Sequence, residues 1–203
     1  MPLNPTIVFE HDGETIERVE DMPPIDEPGF RQLLDHWSAL RDRAGGALPA
    51  RADLDAIAFP KAMAFMWVYQ RVQNDGRTRH LCRLAGEDVR LRYSGMIAGK
   101  YLDEFIPADI LPLVEAHYRL LLDEGGIGWS QGTIYLQSIE RAGSGERILL
   151  PMLDDDGRPN VIVGASRYQP WELDDGTEPE PELPSRVVRY VIPFAVYDRA
   201  RRG

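Results

Sequence analysis

The chain has 203 residues, 33 acidic and 23 basic side chains, a formal net charge of -10 at pH 7 and one cysteine. This length suits one domain of ordinary size with attached extensions, which can fold without a disulfide or a zinc ion. The single Cys82 excludes an internal disulfide and a multi-cysteine metal cluster, and it fits a reducing cytoplasm.

The excess acid lies at the two ends of the chain. Residues 1–27 hold eight acids against one arginine, and residues 172–203 hold seven acids against five arginines. These ends would repel a phosphate backbone, and no basic stripe with interleaved aromatics appears between them, so we predict no nucleic-acid binding. No run approaches the ~20 apolar residues of a membrane span, and no signal peptide is visible. We therefore expect a cytoplasmic protein without membrane contact.

The N-terminal segment has two interpretations. Residues 6–10 and 14–19 can pair as a hairpin across His11-Asp12-Gly13, and a mobile acidic tail is equally well supported. We treat residues 1–27 as an acidic N-terminal extension that ends in a proline-containing linker.

A helix is predicted from Pro28 to Arg43, since proline suits a first helical turn and Gly45-Gly46 provides a stop. Its apolar residues recur at helical spacing and form one stripe: Phe30, Leu33, Leu34, Trp37 and Leu40. Such a stripe covers either the chain's own core or a second chain.

The middle of the chain reads as strands at both ends of a helical region. Turn residues at Asn74-Asp75-Gly76 and Asp154–Gly157 predict two hairpins. We predict strands at about 63–72, 78–84, 129–139, 146–153 and 160–168, with helices near 87–93 and 108–123. This order predicts an α+β fold, in which a five-stranded antiparallel sheet carries helices on one face and an N-terminal flanking helix is added.

The C-terminal part is assigned to a second extension, residues 171–203. Residues 172–183 contain six acids and no basic residue, which predicts a solvated linker. Residues 187–197 read as a last strand, and Pro193 within it argues for a sheet edge. Residues 28–170 are then the central domain with its flanking helix.

Four segments resemble a bacterial family of PAS-like sensor domains: LLDHWSALR (33–41), LPARADLDAIAFP (48–60), CRLAGEDVRLRYSGMIAGKYLDEF (82–105) and RILLPMLDDDGRPNVIVGASR (147–167). The resemblance covers roughly residues 30–168. It implies a stand-alone cytoplasmic PAS fold used in signal transduction, whose ligand is generally unassigned and which acts on partner proteins in trans. Flanking helices of PAS domains commonly build dimers, so the resemblance favours a homodimer through residues 28–43.

Four residues are candidate ligand-binding residues: His117, Cys82, His80 and Tyr93. Some haem-binding PAS domains carry an iron-ligating histidine on the helix equivalent to that of His117, and the alternative is a core histidine with a hydrogen-bond partner. Cys82 alternates with His80 on a strand, whereas the photoactive flavin-binding PAS class carries its cysteine on a helix. We therefore expect a colourless protein without haem or flavin, and we assign no cofactor, metal or catalytic residue.

The function predicted from the sequence is that of a sensory or regulatory protein-interaction domain that binds a small ligand and is not an enzyme. A small-molecule carrier is one alternative. An isomerase- or hydratase-like enzyme on a cone-shaped α+β fold is another, and it requires a polar, titratable pair deep in the cavity.

Overall fold

The structure, a computed structural model, describes residues 3–93, 95–136, 141–170 and 187–202. Its strands are β1 (Thr6–His11), β2 (Glu14–Arg18), β3 (Met66–Asn74), β4 (Arg77–Ala85), β5 (Ile127–Leu136), β6 (Arg141–Met152), β7 (Val161–Pro170) and β8 (Val188–Ile192). Its α-helices are α1 (Pro28–Arg43), α2 (Glu87–Arg92), α3 (Leu111–Asp123) and α4 (Phe194–Arg202), with a short 3-10 helix at Leu102–Glu104 before α3.

All eight strands belong to one sheet, in the order β1-β2-β8-β5-β6-β7-β3-β4. Neighbouring strands run antiparallel except β2 and β8, which are parallel, so the sheet is mixed. The prediction of a five-stranded antiparallel sheet was wrong. The five predicted strands are present and contiguous, but β8, β2 and β1 extend the sheet beyond β5. They come from the two segments that had been treated as acidic extensions.

Helices cover both faces of this sheet, which also corrects the prediction of helices on one face. On the first face, α1 and α4 pack over side chains such as Val68, Ile148 and Leu150. On the second face, α2, the 3-10 helix and α3 pack over alternate side chains of the same strands, including Trp67, Tyr69 and Leu149. Since successive residues of a strand point to opposite faces, the central strands are apolar on both sides.

Helix α1 begins and ends where the sequence predicts, and its apolar stripe is buried against this chain's own sheet. Trp37 is fully buried, and its Nε1 donates a hydrogen bond to the carbonyl of Pro151 at 3.0 Å. Helix α4 closes over the other side of α1, where Arg41 forms an ion pair with Asp198. The chain itself therefore uses the stripe on which the homodimer prediction depended, and dimerisation stays a prediction without that support.

The two ends of the chain meet in the sheet. Of the two interpretations of the N-terminal segment, the structure shows the hairpin. Asp12 and Gly13 adopt positive φ at its turn. The predicted strand at 187–197 was wrong in extent and place. The strand ends at Ile192 and lies between β2 and β5. Pro193 does not interrupt a strand, since its carbonyl accepts the first hydrogen bonds of α4. The predicted linker at 172–183 lies outside the described residues.

Candidate functional site

A small cavity lies on the second face of the sheet, beneath α2 and α3. Its volume is about 10 Å³, which is room for the centre of one water-sized particle. Aliphatic side chains of the helical layer close it from above, among them Val89, Leu102 and Val114. Its polar wall is made by Arg147, Ser166 and four tyrosines, and we call the whole the tyrosine–arginine cavity. The tyrosines are Tyr69, Tyr93, Tyr118 and Tyr168.

The sheet register builds the floor of this cavity. Arg147 on β6 lies directly opposite Ser166 on β7, and Tyr168 follows two residues later on the same face. Arg147 Nε donates to Ser166 Oγ at 3.0 Å, and its Nη2 donates to the Tyr168 hydroxyl at 3.1 Å. Trp67 Nε1 donates to the same Ser166 oxygen at 2.8 Å. One serine hydroxyl thus fixes both the indole and the guanidinium.

The helical layer supplies the remaining polar groups. Tyr118 comes from α3 and stacks on Trp67, with ring centroids 6.0 Å apart, and Tyr93 caps the C-terminus of α2. Arg92, the last residue of α2, places its guanidinium carbon 4.3 Å from the centre of the Tyr168 ring. Arg147 therefore contacts the hydroxyl of Tyr168, and Arg92 lies close to its ring.

Mutual electrostatics set the charges in this cluster. Burial would raise the pKa of Tyr168, but Arg147 and Arg92 lower it below the ordinary value for a tyrosine. Burial and the neighbouring Tyr168 raise the pKa of Tyr93, and burial raises that of Tyr118. For Arg147, burial acts to lower the pKa, yet the surrounding tyrosines raise it further, so its guanidinium stays charged.

The structure places only one of the four sequence-predicted residues in the cavity wall, namely Tyr93. His117 lies elsewhere along α3, where it is buried and its Nε2 is 3.0 Å from the carbonyl oxygen of Tyr190. Burial lowers its pKa to about 4, in spite of this hydrogen bond, so the imidazole is neutral at physiological pH. This geometry is that of a core histidine with a partner, the alternative that the sequence left open.

Cys82 and His80 share one face of β4, as their spacing predicts. The Cys82 thiol is fully buried, donates to the carbonyl of Leu84 at 3.4 Å, and has its pKa raised to about 11 by burial. His80 packs edge-on against Tyr118 at 5.2 Å, and burial followed by the charge of Arg71 lowers its pKa to about 4. Neither side chain reaches the tyrosine–arginine cavity.

His80 instead lines a larger, open groove of about 610 Å³. The groove runs along α3 between β1 at one edge of the sheet and β4 at the other, with Phe9 on one bank and Thr78 on the opposite one. Both ring nitrogens of His80 are buried and lack a hydrogen-bond partner within the described ranges. The groove therefore presents little of the imidazole to a ligand.

Sequence reasoning missed Arg147, Ser166, Tyr168 and Arg92. The residue two places after Arg147 is Leu149, which packs on the same face of the sheet, so the arginine occupies an inward position of an apolar strand. Spacing alone does not single out that position, because β6 is apolar on both faces. The sequence signal that could have found the site is an arginine on one strand of a hairpin opposite a Ser-x-Tyr pattern on the other.

Comparison with models of known protein families and with curated proteins finds no match for this chain. Within the described ranges, no three His, Cys, Asp or Glu side chains come together as a set of metal ligands. No helix in those ranges is long and apolar enough to cross a membrane. A chemical role for this site is therefore inferred from the residues of the cavity alone.

Proposed function

We propose that this protein is a cytoplasmic sensory or regulatory domain that binds a small ligand in the tyrosine–arginine cavity and acts on a partner protein. The observation that carries the proposal is the convergence of one cation and several hydroxyls on a cavity with otherwise apolar walls. Ligand sites characteristically combine apolar walls with a few placed polar groups. The resemblance to bacterial PAS-like sensors supports the regulatory part of the proposal, and the lone thiol of Cys82 agrees with a reducing compartment.

The cover of the cavity favours a sensing role. Helix α2 is only six residues long, and the segment after it contains Gly95 and Gly99, with Gly99 at a φ of 88°. Short elements with few contacts are the parts of a protein that rearrange most readily on binding. A ligand beneath α2 would therefore change the surface formed by this helix and the segment that follows it.

Enzymatic turnover is the second candidate, and one observation favours it. A tyrosine whose pKa is lowered by a neighbouring cation can act as a general base or acid, and Tyr168 beside Arg147 is such a group. It would serve an isomerase-like proton transfer. The Tyr168→Phe variant separates the two functions, because it would abolish proton transfer and leave the apolar walls of a binding site in place.

Native mass spectrometry and a thermal-stability screen of small molecules test the binding proposal. Val89 lines the cavity and is 2% exposed, so Val89→Leu adds a methylene to a space of about 10 Å³. Leu91 lies on the outer side of the same helix and is 64% exposed, which makes Leu91→Met a matched control. We expect a co-purified or added small molecule to bind wild type and Leu91→Met, and to be lost from Val89→Leu.

Amide hydrogen exchange distinguishes a sensor from a carrier. In a sensor, ligand binding changes exchange in the cover of the cavity and also on a surface away from it, as expected when two states differ in population. In a carrier, protection is confined to the cavity walls. If no small molecule binds to the wild-type protein in either assay, the binding proposal is wrong.

A further inference from the structure

Arg147 is a partly buried charged group, and no acidic side chain within the described residues pairs with it. The ion pairs formed within the described parts of the chain involve neither Arg147 nor Arg92. The Arg147 guanidinium donates hydrogen bonds to two hydroxyls, those of Ser166 and Tyr168. A cation withdrawn from water is costly unless a negative charge compensates it.

Arg92 adds a second positive charge beside the ring of Tyr168. Its Nη1 is buried and has no hydrogen-bond partner among the residues that the structure describes. Its guanidinium lies over the rings of Tyr168 and Tyr93, at 4.3 Å and 5.6 Å from their centroids. Aromatic faces favour a cation but do not neutralise it. The cluster therefore holds two positive charges and unused hydrogen-bond donors.

The size of the cavity limits what can neutralise this charge. A volume of about 10 Å³ admits one water-sized particle, so an occupant that fits the cavity without rearrangement is compact. The walls contribute further potential donors from Tyr93 and Tyr118. Hydrogen-bond donors that line one water-sized space beside a positive charge are complementary to a halide-sized anion.

We propose that the tyrosine–arginine cavity binds a compact monovalent anion of halide size, held by Arg147, with the positive charge of Arg92 nearby. The inference rests on the proposed function only in taking the same cavity as the ligand site. The anion compensates one of the two guanidinium charges and competes with the phenolate form of Tyr168 for Arg147. Anion binding therefore raises the pKa of Tyr168 towards its ordinary value, because a bound negative charge disfavours a second one nearby.

Sodium bromide is the probe, compared with sodium gluconate at equal ionic strength, since gluconate is too large for the cavity. We expect bromide to raise the melting temperature saturably, and to move the phenolate titration of Tyr168, followed by near-ultraviolet absorbance, to higher pH. Arg147→Gln should weaken bromide binding by about tenfold or more, as expected for the loss of a charge-assisted hydrogen bond. Arg167→Gln is the control, because Arg167 follows Ser166 but points to the other face, over Phe65.

Each result decides the proposal. Saturable bromide stabilisation that Arg167→Gln keeps and Arg147→Gln loses supports it. Equal effects of bromide and gluconate, or equal bromide binding by both variants, overturn it. If Arg147→Gln does not fold, the wild-type titration decides, and an unmoved Tyr168 midpoint in bromide overturns the proposal. A larger molecule that binds wild type but not Val89→Leu, with no response to bromide, refutes the anion and leaves the proposed function standing.

Discussion

Acidification should destabilise the protein through two buried histidines, His80 and His117. Each is 4% exposed, and burial lowers each pKa from 6.5 to about 4. Between these two values the unfolded chain binds a proton at each histidine and the folded chain does not. The stability that depends on the neutral imidazoles is therefore fully present above pH 6.5, is lost as the pH falls towards 4, and changes little further below that.

The expected loss is large compared with the stability of an ordinary domain. A pKa lowered from 6.5 to about 4 corresponds to about 3 kcal/mol per histidine when the whole interval is crossed. Going from about pH 7 to pH 5 should remove about 2 kcal/mol for each of the two groups. Together they remove a substantial share of the roughly 5–15 kcal/mol by which domains are stable.

Urea unfolding followed by tryptophan fluorescence measures this loss at each pH. His117→Gln keeps a hydrogen-bond donor for the Tyr190 carbonyl, and His80→Phe keeps a ring against Tyr118, so neither variant titrates at that position. Each should reduce the pH dependence by about half, and the double variant should remove most of it. His11→Gln is the control, since His11 lies at the partly exposed β1–β2 turn.

Two partly buried acids, Glu115 and Glu146, change the free energy of unfolding in the opposite direction as the pH falls. Burial raises the pKa values of Glu115 and Glu146, so their protonation stabilises the folded chain slightly as the pH falls. This contribution is common to the wild type and the histidine variants. If the double variant loses as much free energy of unfolding as the wild type between about pH 7 and pH 5, the argument from buried histidines is refuted.

Three further predictions concern the packed core. Trp37→Glu should prevent folding as judged by circular dichroism. Removing a buried tryptophan already costs about 3–5 kcal/mol, and the Pro151 carbonyl loses the hydrogen bond from Trp37 Nε1. A folded, soluble variant would contradict this. Gly164→Ala would place a methyl carbon 2.2 Å from the Trp67 ring, and should cost about 1–3 kcal/mol in urea unfolding; an unchanged midpoint would argue against that contact. The buried Cys82, whose pKa is raised to about 11, should react with iodoacetamide far more slowly in the native protein than in urea, and equal rates by mass spectrometry would count against its burial.

Local patterns predicted much of the secondary structure. The α1 bounds follow from Pro28, the glycine pair after the helix and the spacing of its apolar residues, all of which act within a few turns of chain. The prediction failed for β8, since its neighbours in the sheet are set by contacts with β2 and β5, far away in sequence. Pro193 was ambiguous because a proline that follows a strand and one that interrupts it look alike in sequence.

The candidate site was harder to predict than the fold. Tyr93 was named, but its importance comes from Arg147 and Tyr168, which reach it only through the β6–β7 register and the position of α2. His117 has helical spacing that points it inward, yet spacing cannot tell a cavity from a backbone carbonyl as its neighbour. Unpaired charge is a property of the assembled site, and no single segment displays it.

The position of β8 has a consequence for folding during synthesis. Within the sheet, the β1–β2 hairpin is joined to the remaining strands through β8, which follows all of them in the sequence. The β1–β2 hairpin therefore leaves the ribosome before its partner strand, and the edge of β2 stays unpaired until residues 188–192 emerge. A ribosome stalled before residue 188 would carry a nascent chain whose β1–β2 hairpin has no strand to join.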